Sequence, residues 1–267
     1  MTTPVKSVLL VDNDLFILEA VGAMLREAGY AVQTAADGLE ALEQIAAAPP
    51  DVLILDVVMP KIDGARLCRY LDGDPKLART PTIIFSSLAA PDLLTLPGLR
   101  AEAFVAKGPL PLTGRNLLEA LASVEQGDGK QRVYGYDGFR PRQVVAELLH
   151  QKHQQDLLLR HLRDGVLLAD GRGRVTEANP AAAGLLAASE RSLIGRPLHE
   201  VFEPTDREAV RRMVEVFTGG TESADSLTVR QGGRRLRVQF SAVITGSVLS
   251  GLILILTDLT GTGRLPG

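Results

Sequence analysis

Val52-Leu53-Ile54-Leu55-Asp56-Val57-Val58-Met59-Pro60-Lys61-Ile62-Asp63-Gly64 reads as an apolar strand, an acidic residue at its carboxyl end, and a proline-bearing loop that closes on a turn. Consecutive apolar residues bounded by charge suit a strand covered on both faces, as in a parallel sheet. The same grammar recurs outward from this stretch. Val8-Leu9-Leu10-Val11 precedes Asp12, Thr82-Ile83-Ile84-Phe85 precedes Ser86, and Ala103 to Ala106 precedes Lys107. Between these runs helical spacing appears in Leu15, Leu18, Val21, Met24 and Leu25, then in Leu39, Leu42 and Ile45, and finally in Leu117, Leu118 and Leu121. Asp14 and Asp37 stand near the starts of the first two helices. A βα repeat of about five units predicts a doubly wound α/β domain on a five-stranded parallel sheet.

In such a sheet the groups just past the carboxyl ends of neighbouring strands converge on one crevice. Here that crevice would hold the carboxylates of Asp12 and Asp56, an amide from Asn13, the Ser86 hydroxyl and the Lys107 ammonium. Such a set can bind a hard divalent cation and accept a phosphoryl group on a carboxylate. Taken singly, Asp12 or Asp63 is more often a helix cap or turn residue.

The 267 residues, 45% of them apolar, suffice for two domains with separate cores. Residues 1–126 carry ten basic against sixteen acidic side chains, net −6, while residues 127–267 are net +3. The basic half has few aromatics and no Lys/Arg block, which speaks against nucleic-acid binding. A lone cysteine, Cys68, cannot form an internal disulfide, and no charged leader precedes an apolar segment, so a cytoplasmic location is expected. The uncharged run from Val238 to Thr257 has the length of a membrane span, but its Thr245-Gly246-Ser247 turn signal and β-branched flanks favour two strands.

Residues 126–140 carry Gly and charge without periodicity and read as a linker. Val144, Leu148, Leu158 and Leu162, with Gln151 and Gln155 between them, follow a 4-3-4-3-4 seam. A parallel coiled-coil homodimer and an amphipathic helix packed on its own domain both satisfy it. Beyond Gly165 come two short strands around Asp170–Gly173, a helix start at Asn179-Pro180, a helix near Asp206–Phe217, and three strands near Ser226–Arg230, Arg235–Ile244 and Leu249–Asp258. This order is an α+β domain with an antiparallel sheet.

Residues 5–125 resemble the receiver domain of two-component response regulators, whose fold is flavodoxin-like. The run Asp56-x-x-Met59-Pro60-x-x-Asp63-Gly64, with Asp12 before it and Ser86 and Lys107 after it, carries the likeness. Residues 160–262 resemble a PAS domain through Asp164-Gly165-Val166, Asp170-x-x-Gly173-Arg174-Val175, Asn179-Pro180-Ala181, Ile194-Gly195-Arg196-Pro197 and Thr257-Asp258-Leu259-Thr260. The expected domains are a receiver over 1–126, a helical linker over 127–159 and a PAS domain over 160–263. The resemblance implies that Asp56 takes a phosphoryl group from a histidine kinase or phosphotransfer protein. It implies Mg²⁺ held by Asp12, Asn13, the Asp56 carboxylate and the Val58 backbone carbonyl. Lys107 would pair with phosphoryl oxygens, Ser86 would hydrogen-bond the phosphate, and Phe104 would be the aromatic whose rotamer changes with Ser86.

This sequence departs from the receiver pattern at four places. Asn13 stands where a second acidic residue is usual, which weakens metal binding. Gly108 replaces the proline that usually follows the lysine. Two prolines and a glycine in Pro91–Gly98 predict a short fourth helix. Val58 and Leu88, two residues past Asp56 and Ser86, are apolar and would not orient a hydrolytic water, so a slowly hydrolysed phosphoaspartate is expected.

The histidines His150, His153, His161 and His199 form no metal set with Cys68 at usable spacing, and no independent catalytic or nucleotide motif supports an enzyme. Asp170-Gly171-Arg172-Gly173 reads as a turn rather than a nucleotide loop. The PAS domain has no cysteine for a flavin adduct and no histidine on its long helix for haem, so docking is expected, or an unidentified small ligand. With the sequence closing just after this domain, output is expected through a downstream protein partner. The alternative is a degenerate receiver, an adaptor that signals through PAS ligand binding or dimerisation without phosphorylation.

Overall fold

The computed structural model describes residues 6–88, 93, 99–127, 131–136, 154–155, 157–218 and 225–260, and divides into two compact units, Met1–Gln151 and Lys152–Gly267. The first unit contains β1 (Ser7–Val11), α1 (Leu15–Glu27), β2 (Ala31–Ala35), α2 (Gly38–Ala47), β3 (Val52–Leu55), α3 (Gly64–Asp72), β4 (Thr82–Ser86), β5 (Ala103–Ala106), α4 (Leu110–Gln126) and β6 (Arg132–Tyr134). Its sheet runs β2-β1-β3-β4-β5-β6 with every neighbouring pair parallel. The order reverses between β1 and β3, so Asp12 and Asp56 leave the sheet side by side at the switch point.

Every residue of β3, β4 and β5 is buried, as strands covered on both faces require. One face presents Val8, Leu10, Ile54, Ile83, Phe85 and Val105 to Leu18, Val21 and Leu25 of α1 and to Leu117, Ala120 and Leu121 of α4. On α2, Leu39, Ala41 and Ile45 are buried.

The five strands of the βα repeat are joined by a sixth, β6, inside the stretch expected to be linker. Three residues are too few to show strand alternation, and what makes them a strand is the ladder offered by β5 together with packing of Tyr134 on the core. The expected fourth helix over Pro91–Gly98 lies outside the described residues, save for Leu93, which is helical and buried.

The second unit contains β7 (Gly165–Asp170), β8 (Val175–Ala178), α5 (Pro180–Leu185), α6 (Glu190–Leu193), a 3₁₀ turn (Leu198–Val201), α7 (Arg207–Thr218), β9 (Asp225–Gln231), β10 (Arg234–Thr245) and β11 (Val248–Asp258). Its antiparallel sheet is ordered β8-β7-β11-β10-β9. The uncharged run 238–257 is the β10–β11 hairpin, turning at Gly246 with φ +65°. Among the described residues no helix is long and apolar enough to cross a membrane.

Asn179 ties this unit together. Its Oδ1 accepts from Val166 N and Ala182 N, each at 2.8 Å, capping α5, while Nδ2 donates to the carbonyls of Leu159 and Asp164 at 3.0 Å. A Cβ on Gly165 would lie 2.9 Å from Ala182 Cα, so glycine is what lets α5 cross β7 so closely. Phe217 of α7 stacks on Phe240 of β10 at 5.9 Å within the core. Of the linker seam, Val144, Leu148 and Gln151 lie outside the described residues, whereas Leu158 and Leu162 are exposed.

Candidate functional site

The crevice assembles from the ends of β1, β3 and β5. Asp12 N–H donates to Ala35 O at 3.1 Å and Asp56 N–H to Val11 O at 2.9 Å, so backbone ladders carry both acidic residues just beyond the sheet. Asp12 is fully buried and Asp56 nearly so. Lys107 Nζ, delivered by β5, lies 2.6 Å from Asp12 Oδ2 and 2.7 Å from Asp56 Oδ2. It also sits 5.3 Å from the Phe85 ring centroid. One ammonium thus bridges two carboxylates inside the protein.

The electrostatics follow from that arrangement. Burial raises the Asp12 carboxyl above its ordinary pKa and Asp56 adds to the rise, with Lys107 opposing. Burial alone would lower Lys107, yet Asp56 and Asp12 together hold its pKa above the ordinary value. Two carboxylates against one ammonium leave negative charge in a poorly hydrated place, the condition a hard cation relieves. Asp12 and Asp56, with the Val58 carbonyl, are the groups that could hold Mg²⁺ here, although among the described residues no cluster of three or more His, Cys, Asp or Glu side chains forms a metal site. Asn13 is exposed beside them. Asp14 does not make up the missing carboxylate, because its Oδ1 accepts from Phe16 N at 2.9 Å as the cap of α1.

Ser86 is fully buried; its Oγ accepts from Leu88 N at 3.3 Å and its carbonyl from Lys107 N at 2.9 Å. Phe104 is buried at 1% exposure, so its ring is turned inward here. Leu88 is fully buried and Val58 half-buried, which leaves only Val58 at the rim where both were expected to flank an approaching water. Gly108 donates its N–H to Thr113 Oγ1 at 3.0 Å, a bond that proline could not make.

The loop from Asp56 to Gly64 is tightly determined. Asp63 caps α3 by accepting from Arg66 N at 2.7 Å. A Cβ on Gly64 would stand 2.5 Å from Asp56 O and 2.8 Å from Val57 Cα, so only glycine lets α3 start against the backbone of Asp56. Lys61 adopts φ +60°, a strained value for a side-chain-bearing residue, and its Nζ pairs with Asp37 Oδ2 at 2.5 Å. Burial would raise the Asp37 carboxyl, but the Lys61 ammonium and the N–H groups of Glu40 and Leu39 hold it below the ordinary range. This clasp escaped sequence reading. The only signals were Asp37 before a helix and a lysine after Pro60.

Residues 8–122 match the family model described as the response regulator receiver domain, and residues 159–262 match the PAS fold. The gliding motility regulatory protein of Myxococcus xanthus is 40% identical over 104 residues, which is 39% of this chain and 13% of that protein. Response regulator MprA of Mycobacterium tuberculosis is 47% identical over 66 residues, 25% of this chain and 29% of MprA. The chain thus spans under a third of either curated relative. Among solved structures, the chemotaxis response regulator CheY4 of Vibrio cholerae is 31% identical, with a TM-score of 0.40, covering 43% of this chain and 97% of that one.

Proposed function

The chain is a response regulator receiver domain followed by a PAS fold, and from this we propose that it is a cytoplasmic signalling protein that takes a phosphoryl group on Asp56 and passes the change to its PAS domain. The observation that carries the reading is the Lys107 ammonium bridging Asp12 and Asp56 at 2.6 and 2.7 Å.

A receiver implies a histidine kinase partner, or a phosphotransfer protein in its place. An Asp56 carboxylate oxygen attacks phosphorus, the P–N bond to the donor imidazole breaks, and its electron pair stays with the imidazole. Asp56 Oδ1 accepts from Val58 N at 3.3 Å and Oδ2 is held by Lys107, so Lys107 must turn from the carboxylate to the incoming phosphoryl oxygens as transfer proceeds. Bound Mg²⁺, on Asp12, Asp56, the Val58 carbonyl and the Asn13 amide oxygen, would offset charge on those oxygens. Ser86 would bond the phosphoryl group and Phe104 would follow it.

For the donor's approach, Leu15 and Phe16 are 72% and 62% exposed directly after the acidic loop. They begin α1, which with α4 borders a groove of about 370 Å³ lined by Met24, Leu110, Pro111 and Leu118. An amphipathic helix carrying the phosphohistidine suits that surface. In this reading output runs through protein contacts, with the PAS domain as docking module.

The test is intact mass after incubation with acetyl phosphate, with and without Mg²⁺, on wild type and Asp56→Asn. A Mg²⁺-dependent gain of one phosphoryl group, lost in Asp56→Asn, is expected, and its decay should be slower than in fast-cycling receivers. Exposed Asn13 and the capping duty of Asp14 favour one rival, a receiver that serves only as a binding surface. Absence of any adduct, from acetyl phosphate and from a panel of histidine kinases, would establish that rival instead.

A further inference from the structure

Beyond α4 the chain folds back onto the strand that delivers Lys107. Arg132, Val133 and Tyr134 pair in parallel with Ala103, Phe104 and Val105. Arg132 N–H donates to Glu102 O at 3.2 Å, and Gln131 Nε2 donates to Ala101 O at 3.0 Å. Gly135 then turns at φ +76°, so closely packed that a Cβ there would lie 2.4 Å from Asn116 Nδ2 and 3.6 Å from Ala106 Cβ. Ala106 immediately precedes Lys107 and pairs with Ser86.

We propose that residues 131–136 are a positioning element for Lys107, and that their docking on β5 is how phosphorylation of Asp56 is felt by the chain leading to the PAS domain. The inference rests on the phosphoryl-transfer reading above. Lys107 is held at one end by the two carboxylates and at the other by its N–H bond to Ser86 O, directly after Ala106 of β5. Turning the ammonium toward a phosphoryl group therefore acts on β5, and β5 is laddered to β6 over its switch residue Phe104.

The ladder is short, and Val133 within it is 47% exposed. A three-residue edge strand belongs to the low-stability end of a fold, where modest differential interactions shift populations. Coupling is reciprocal: if phosphorylation changes docking, docking changes the phosphorylated state's stability.

The experiment is hydrogen–deuterium exchange on the full chain, wild type and Asp56→Asn, with and without acetyl phosphate and Mg²⁺, adduct being verified by intact mass on the same samples. Exchange over 131–136 should differ severalfold between phosphorylated and unphosphorylated wild type, and stay constant in Asp56→Asn. Two variants undock the strand differently. Gly135→Val must leave φ +76° and displace the Asn116 amide, and Arg132→Pro removes the N–H given to Glu102. Both should exchange quickly over 131–136, keep β1 and β3 protected, and phosphorylate at least about tenfold more slowly, within the roughly hundredfold that a 1 Å misplacement can cost.

An adduct with unchanged exchange over 131–136, or undocked variants that phosphorylate at the wild-type rate, overturns the proposal while leaving Asp56 as acceptor. No adduct in wild type overturns both. Loss of β1 and β3 protection in one variant leaves the other to decide.

Discussion

Without the ammonium of Lys107, Asp12 and Asp56 would face one another in a buried crevice as uncompensated like charges. Removing one partner of a buried ion pair typically costs about 3 kcal/mol or more, so Lys107→Met should lower stability by that order in urea unfolding at pH 7 without Mg²⁺. Added Mg²⁺ should recover part of the loss; an unfolding midpoint equal to wild type would sink the account. Asp37 gives a prediction of opposite chemistry. Its carboxyl is held below the ordinary 3.8, so the stability from its pairing is fully present above pH 3.8 and fades as pH falls through the lower folded value. Unfolding curves of wild type and Asp37→Asn should differ at pH 6 and converge toward pH 2. A gap that stays constant over that range would contradict the assignment. Asp12, Asp56, Ser86 and Lys107 were legible in the sequence because each stands just past an apolar run, whereas the Asp37–Lys61 clasp joins residues 24 apart on two loops with no shared pattern.

Helices and strands read well where periodicity is long, and glycines show where it is not enough. Gly64 and Gly184 both lie in helices, yet a Cβ on the first would stand 2.5 Å from the Asp56 carbonyl oxygen and one on the second would meet nothing within 4 Å. Gly64→Ala should therefore destabilise the receiver by about 2 kcal/mol through overpacking against Asp56. Gly184→Ala, exposed in α5, should stabilise the second unit by up to about 1 kcal/mol through helix propensity. Thermal unfolding of each variant reads both signs, and equal signs would show that the close approach at Gly64 is not limiting. The β10–β11 hairpin was recoverable from Thr245-Gly246-Ser247, since a turn signal between β-branched runs excludes a continuous helix. Strand β6 was not, because its hydrogen-bond partners lie on β5 and its own three residues have no alternation to read.

At the scale of the molecule, the described residues show separate sets of buried side chains in the two units. Cys68, buried on α3 of the first unit, reports on the packing of that helix: desolvation pushes its thiol up to about 11 and Sγ is directed to Arg100 O at 3.7 Å. A maleimide added at pH 7 should leave the native thiol unmodified for hours and react fully once urea unfolds the receiver; prompt native labelling would contradict the burial. The sequence by itself determined both fold classes and the meeting of Asp12, Asp56 and Lys107, because strand period and the carboxyl-end rule act on local patterns. Only the tertiary structure decided that one lysine bridges both carboxylates, that Lys61 clasps Asp37, and that the departing chain adds a strand beside Lys107. Those contacts join residues with no common period, and they form only where packing brings opposite charges or open ladder edges within bonding distance.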